Sequence, residues 1–312
     1  MQLTPIDYGE IRSGRGLSEL DRVCREWGFF ELRNPPISTE LRAAMLLEIE
    51  TFFALSVEEK RRCERTSENH WGFYDRELTK NVQDWKELFD VGPHFGACVP
   101  QWPKSLPLFR QVTESYARCC EAIAIQLVRC IGAALGGDGD ALAKGFENHT
   151  SYLRMNHYPL CDNPAPADTP TGASNGHLGI SHHSDAGAVT VLLQDGHPGL
   201  QVENNGQWHT VSSERGAIII NIGDVVQVWS NDRYKAPLHR VLASKTHTRY
   251  SAPFFLNPAF EMDYAPLPSV RGEGKAHYRS INWGEFRNGR AAGDYSNVGE
   301  EIQIAHYRLG VS

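Results

Sequence analysis

The sequence predicts an α+β protein, with a mainly helical first half and a second half built as a β-sandwich or jelly roll. Apolar residues recur at helical spacing through positions 1–145. From about Tyr152 the apolar period falls to two, and turn-forming residues multiply between short apolar runs.

Taken in order, Pro5-Ile6-Asp7-Tyr8 predicts a short strand. Leu20, Val23, Cys24 and Trp27 share one side of a helix that Gly28 ends, and Phe29-Phe30-Glu31-Leu32 reads as a strand. Ser38 is placed to cap a helix carrying Leu41, Met45, Ile49, Phe52 and Phe53, and Ser56 with Glu59 has the capping-box spacing. Trp85-Lys86-Glu87-Leu88-Phe89 reads as a framework strand. A long amphipathic helix is expected from about Leu108 to Leu135, stopped by Gly136-Gly137. Six further strands are predicted at Val189–Leu193, Leu200–Val202, Trp208–Val211, Ala217–Asn221, Val225–Trp229 and Arg249–Leu256. Asn204-Asn205-Gly206 is a hairpin turn, because Asn and Gly tolerate positive φ. Cys161 to Asn175, rich in Pro, Ala, Asp and Thr, is either a mobile loop near the site or a surface insertion.

The chain has 312 residues, 41% hydrophobic and 22% charged, enough for a sizeable core. A net charge of −7 argues against a dedicated nucleic-acid or anionic-membrane binder. No apolar run reaches membrane-spanning length and the N-terminus is polar, so a cytoplasmic location is expected. The seven cysteines, with no C-x₂-C pair, read as reduced thiols.

The chemistry concentrates in His183-Ser184-Asp185, in His239 of Pro237-Leu238-His239-Arg240-Val241, and in Arg249-Tyr250-Ser251. Two imidazoles and one carboxylate occupy one face of an octahedral metal and leave the other face open, the ligand pattern of non-haem Fe(II) sites that activate O₂. Residues two apart on a strand point the same way, so H-x-D suits a strand, with His239 arriving from a neighbouring one. Of the thirteen histidines, His183 alone has an acid two residues downstream. Arg249 and Ser251 also share a face and offer a carboxylate a fork of donors plus a hydroxyl. His182 and His177 are nearby competitors, although strand alternation turns His182 away.

These residues, with Arg154-Met155-Asn156-His157-Tyr158-Pro159, Gly199-Leu200-Gln201-Val202, Asn221-Ile222-Gly223-Asp224 and the run to Pro258, resemble the 2-oxoglutarate/Fe(II)-dependent dioxygenases of the isopenicillin N synthase-like superfamily. Glu26-Trp27-Gly28-Phe29-Phe30, Phe52-Phe53-Ala54-Leu55 and Asp84 to Phe89 extend the resemblance over nearly the whole chain.

The resemblance implies a double-stranded β-helix with N-terminal helices against one sheet. It implies one integrated domain over 1–312: a helical region at 1–145, the jelly-roll core at 146–262 and a C-terminal segment at 263–312 near the barrel mouth. It implies Fe(II), 2-oxoglutarate and O₂ as cofactors, and hydroxylation or desaturation of a small molecule with release of succinate and CO₂. His183, Asp185 and His239 would hold the metal. Arg249 and Ser251 would hold the distal carboxylate of 2-oxoglutarate, with Asn156 and Tyr158 contacting it near the metal. Phe255, Trp71, Phe73 and Tyr74 are candidate substrate contacts or core residues. Arg154 would meet substrate or co-substrate, or form a structural ion pair. Asn282-Trp283-Gly284-Glu285-Phe286 to Asp294-Tyr295 is expected to pack over the barrel mouth. Two alternatives stand beside this reading: an Fe(II)/O₂ oxidase that does not use 2-oxoglutarate, of the isopenicillin N synthase or ACC oxidase kind, and a non-catalytic binding module on the same barrel.

Overall fold

The N-terminal helices of this chain cover a sheet to which both halves contribute strands. The computed structural model describes all residues except 81, 171–175, 213, 273, 295–301 and 311–312. The N-terminal part runs β1 (Pro5–Asp7), α1 (Tyr8–Arg12), α2 (Leu17–Glu26), β2 (Phe29–Arg33), α3 (Thr39–Phe53) and α4 (Val57–Arg61). Ser38 Oγ accepts from the Leu41 N–H at 3.1 Å and Ser56 Oγ from the Glu59 N–H at 3.3 Å, so both expected caps form. Then come β3 (Gly72–Tyr74), β4 (Leu78–Thr79), β5 (Val82–Gln83), β6 (Glu87–Val91), α5 (Phe109–Ala134) and α6 (Gly139–Lys144). In α5, Tyr116, Cys120, Ile123, Leu127 and Ile131 recur at helical spacing and are fully buried. Burying each of the large aliphatic ones stabilises the fold by roughly 1.5–3 kcal/mol.

The second half runs β7 (Tyr152–Tyr158), β8 (Leu178–His183), β9 (Val189–Gln194), β10 (Leu200–Asn204), β11 (Gln207–Thr210), β12 (Ile218–Ile222), α7 (Asp224–Trp229), β13 (His239–Leu242) and β14 (Arg249–Leu256). It closes with β15 (Asp263–Tyr264), α8 (Pro268–Arg271), β16 (Ile281–Asn282), α9 (Trp283–Asp294) and a 3-10 turn (Ile304–Tyr307). One eight-stranded sheet has the order β1-β2-β12-β9-β14-β7-β6-β3, and a four-stranded sheet, β11-β10-β13-β8, faces it. This is the jelly-roll core of the double-stranded β-helix, in an α+β setting. Asn205 and Gly206 take the expected positive φ between β10 and β11.

Strand alternation sorts the large sheet into two faces. Leu153 and Met155 of β7, Val189, Val191 and Leu193 of β9, and Ala252, Phe254 and Leu256 of β14 pack in the cluster that includes α2, α3 and α5. Tyr158, Leu192, Ile219 and Phe29 point instead between the sheets, where they meet Leu200, Val202 and Val241. The polar residues of the site share this inner face.

One predicted strand is a helix. Val225–Trp229 belongs to α7, despite its valines, because Gly223 and Asp224 open a helical turn there. Val225, Val226, Val228 and Trp229 are all buried, so tertiary packing overrides the β preference of Val. Residues 171–175 of the Cys161–Asn175 loop lie outside the described residues. Before them, the chain is tied down by Arg240, whose guanidinium donates to the carbonyls of Thr169 at 2.6 Å and Ala167 at 2.9 Å. Tyr295 likewise lies outside the described residues. All seven cysteines are free, and burial pushes the thiols of Cys24 and Cys120 well above their usual pKa. Among the described residues, no helix is long and apolar enough to cross a membrane.

Gly28 closes α2 with φ +63°, donating to Val23 O at 3.1 Å. A Cβ there would sit 3.0 Å from Lys235 O and from Pro237 Cδ. Gly28→Ala is expected to cost about 1–3 kcal/mol in chemical denaturation, from left-handed strain plus that contact.

Candidate active site

The site begins where two strands of the small sheet meet. His183 ends β8, His239 begins β13, and the two are Cα partners, which brings their rings to a centroid separation of 4.3 Å. Asp185 is not on the strand, as the H-x-D spacing suggested. It lies just past β8 in the link to β9, where its carbonyl accepts from the Asp224 N–H at 2.8 Å. That link still carries its Oδ1 to 3.6 Å from His183 Nε2 and 3.5 Å from His239 Nε2. One donor atom from each of the three side chains lies within 4.8 Å of the others, a spacing that one metal ion bridges. Neither His182 nor His177 belongs to this group. His177 instead packs against Trp85, with ring centroids 4.8 Å apart.

Each donor is oriented from behind. The Nδ1 of His183 is 2.9 Å from Ser181 O, and that of His239 is 3.1 Å from Pro237 O. A carbonyl only accepts, so each ring carries a proton on Nδ1 and turns Nε2 toward the position a metal would take. The outer oxygen of Asp185, Oδ2, accepts from Thr190 Oγ1 and from Asn221 Nδ2, leaving Oδ1 facing the imidazoles. Burial and the charge of His239 push His183 down to about 3, so it is neutral. Burial works to raise the Asp185 carboxyl, but the charge of His239 and the hydrogen bonds from His239 and Thr190 outweigh it and hold the group ionised. For His239 burial works downward, and the adjacent Asp185 carboxylate more than offsets it, so its pKa is raised.

At the other end of the inner face lies Arg249, 3% exposed. Its Nη2 donates to Gln194 Oε1, while its Nε and Nη1, like Gln194 Nε2 and Asn156 Oδ1, are buried with no hydrogen-bond partner. A buried donor left unmatched costs roughly 1–3 kcal/mol, so concentrating several here suits the oxygens of an anionic ligand. Ser251 Oγ, accepting from Asn156 Nδ2 at 3.4 Å, sits at the same level. The Tyr158 ring lies under the guanidinium at 5.1 Å. Ser251 pairs with Gln194 and Phe255 with Thr190, so Ser251 stands four strand positions from the level of Thr190, about 13 Å between Cα levels, and Arg249 lies beyond it.

Phe255 therefore stands beside Thr190, which bonds to Asp185. Its ring lies 5.0 Å from Tyr152, which in turn lies 5.9 Å from Trp71. Trp71 is seated on Gly92, where a Cβ would come within 2.3 Å of the indole. Arg154 forms the structural ion pair, with both contacts to Asp90 at 2.8 Å and Glu77 at 3.4 Å. Tyr74 lies under the Arg65 guanidinium at 3.6 Å. Phe73 is not at the site. It pairs with Phe89 on the helix-facing side and packs on Phe52, fully buried, because the β3–β6 register turns it away. Sequence reasoning missed Thr190, Gln194, Asn221 and Tyr152. A polar residue interrupting the apolar runs of β9 and β12 was the available signal for the first three.

Paired imidazoles and a carboxylate at one end of a jelly roll, with a buried guanidinium short of partners at the other, define the non-haem iron oxygenases that take a carboxylate co-substrate. The model of the 2OG-Fe(II) oxygenase superfamily matches residues 149–258, and that of the non-haem dioxygenase N-terminal region, described for morphine synthesis, matches residues 5–107. The chain is 31% identical over 285 residues to the oxoglutarate-dependent flavonoid 7-O-demethylase 1 of Ocimum basilicum, covering 88% of this chain and 72% of that one. It superposes on a crystal structure of JOX2 in complex with 2OG, Fe and JA with a TM-score of 0.82 at 26% identity, covering 99% and 90% of the two chains. A full-length Neurospora crassa protein in complex with alpha-KG and thymine gives a TM-score of 0.79 at 25% identity, covering 93% and 96%. The chain belongs to the 2OG-Fe(II) oxygenase superfamily. It is a 2-oxoglutarate-dependent dioxygenase, with Fe(II), 2-oxoglutarate and O₂ as cofactors.

Asn221→Ala leaves Thr190 alone to orient Asp185, and is expected to weaken Fe(II) binding by about 10- to 100-fold in an anaerobic titration. A protonated imidazole cannot ligate, so with His239 as a ligand the affinity should fall by about tenfold per pH unit below its raised pKa. Titrations repeated from pH 8 downward (roughly one unit apart) check the slope.

Proposed function

We propose that this dioxygenase hydroxylates or desaturates a small-molecule metabolite, with His183, Asp185 and His239 as the ligands of Fe(II) and Arg249 as the anchor of the distal carboxylate of 2-oxoglutarate. The observation that carries the reading is Arg249, a buried guanidinium on the inner face with two nitrogens unmatched. Gln194 fixes a third nitrogen, so the fork is already oriented. Ser251 and Asn156 lie on the same inner face to bond the same ligand, and Tyr158 supports the guanidinium from below. Two neutral imidazoles and one carboxylate leave net positive charge on a ferrous ion, which favours an anionic chelator beside it. When bound, the iron supplies activation of O₂ and oxidation of a substrate C–H bond, while 2-oxoglutarate becomes succinate and CO₂. The residues bind, orient and exclude water.

A complete, back-oriented donor set argues against a non-catalytic module. An oxidase that ignores 2-oxoglutarate is disfavoured by the oxoglutarate-dependent relatives. We further read Phe255, Tyr152 and Trp71 as an aromatic wall beside the metal end, with Arg154 and Tyr74 at its polar margin. The relatives' named ligands, a flavonoid, JA and thymine, are all small molecules, which supports a substrate of that size. Because β1, β2, β3 and β6 complete the large sheet of the jelly roll, residues 1–312 are best read as one integrated unit. A cytoplasmic setting accords with the free cysteines.

The purified ferrous enzyme, screened against a metabolite panel, is expected to release succinate only when 2-oxoglutarate is present. O₂ consumption that left 2-oxoglutarate untouched would sink the reading. Arg249→Gln should raise the 2-oxoglutarate KM by about 10- to 150-fold, the equivalent of one charge-assisted hydrogen bond of roughly 1.5–3 kcal/mol, with little change in ferrous affinity.

A further inference from the structure

The stretch between the two H-x-D donors is held from the far end of the chain. Arg290, on α9, is 6% exposed. Its Nη1 donates to Asp224 Oδ2 at 2.8 Å, and its Nη2 donates to the Ser184 carbonyl at 3.1 Å. Ser184 is the residue between His183 and Asp185, and the Asp224 N–H bonds the Asp185 carbonyl at 2.8 Å. The link from Ser184 to Ala188 is thus clamped at four of its five carbonyls. Arg290 takes Ser184, Asp224 takes Asp185, Val225 takes Gly187 at 3.2 Å, and Gly223 takes Ala188 at 2.9 Å. The two segments approach so closely that a Cβ on Gly223 would meet Gly187 O at 2.3 Å.

The helix that presents Arg290 is itself fixed. Trp283 and Phe286 are buried in the main core, and Trp283 Nε1 donates to Thr150 Oγ1 at 2.8 Å. Arg290 lies one turn beyond Phe286, with its guanidinium 5.9 Å from that ring. An ion pair that only secured the helix would need the Asp224 contact alone. The second prong goes instead to the backbone that sets where Asp185 stands relative to His183.

We propose that Arg290 is a positioning residue for the metal centre, gripping the Ser184 carbonyl and Asp224 together so that the C-terminal helix sets metal affinity. The inference rests on His183 and Asp185 being the ligands. Outer contacts that orient metal ligands typically change affinity by about 10- to 100-fold, and one acting through the backbone belongs near the lower bound.

The test is an anaerobic Co(II) titration of the full-length protein, followed by the visible d–d absorption of the bound ion, with melting temperature recorded alongside. Arg290→Met is expected to raise the Co(II) Kd about tenfold and alter the d–d band, because the Asp185 oxygen shifts. Arg290→Lys, which can keep the Asp224 contact but lacks the fork, should fall between that variant and the parent. A Kd within about twofold of the parent with an unaltered band, even with a lower melting temperature, would reduce Arg290 to a structural clasp. If Arg290→Met does not fold, the same criterion is applied to Arg290→Lys. His183→Ala separates the two layers of the argument. Retained Co(II) binding there overturns the ligand assignment and this inference with it. Lost binding there, with Arg290 variants unchanged, sinks this inference alone.

Discussion

The two-residue period of four adjacent strands is the constraint on which this molecule depends. In β7, β14, β9 and β12, every second side chain goes to the helical core and the others go between the sheets. The inner set holds Asn156, Ser251, Arg249, Gln194, Thr190 and Asn221, all buried and polar. A register slip of one residue would send these into the apolar core and turn Val191, Leu193 and Phe254 into the site. The length of the apolar outer stripe therefore protects the chemistry, although its residues face the helices rather than the site.

The two ends of the inner face solve opposite electrostatic problems. Around Asp185 every oxygen is answered: Thr190 and Asn221 bond one, and the paired imidazoles face the other. Around Arg249 the donors outnumber the acceptors. Burying such unmatched donors destabilises the free protein, and the extensive core formed by α2, α3 and α5 against the sheet offsets it. Binding free energy is thereby reserved for a ligand that brings its own oxygens.

Much of this was legible because spacing on strands translates directly into facing. Arg249 with Ser251, and Asn156 with Tyr158, read correctly as pairs on one face, and both helix caps at Ser38 and Ser56 were visible as local hydrogen-bond geometry. Where local pattern competed with tertiary contact, it failed. Val225–Trp229 has the composition of a strand, but its helix is set by the Gly223-Asp224 opening against the Asp185 link. Asp185 reaches the imidazoles from outside the strand, since backbone bonds to α7 bend the chain there. Phe73 went to the core because which face of β3 looks inward depends on its register with β6, and register is a non-local property. Arg290 left no signal at all, being separated from Ser184 by 106 positions.

The imidazole tautomers are set by Ser181 O and Pro237 O, and the carboxylate by Thr190 and Asn221. Protein groups thus do the orienting, unlike a zinc finger, in which coordination and folding are one event. Chelators should strip such a protein to a native-like, reloadable apo form, and the organising cost falls on synthesis of the barrel, where His183 and His239 must find each other across a long stretch of chain.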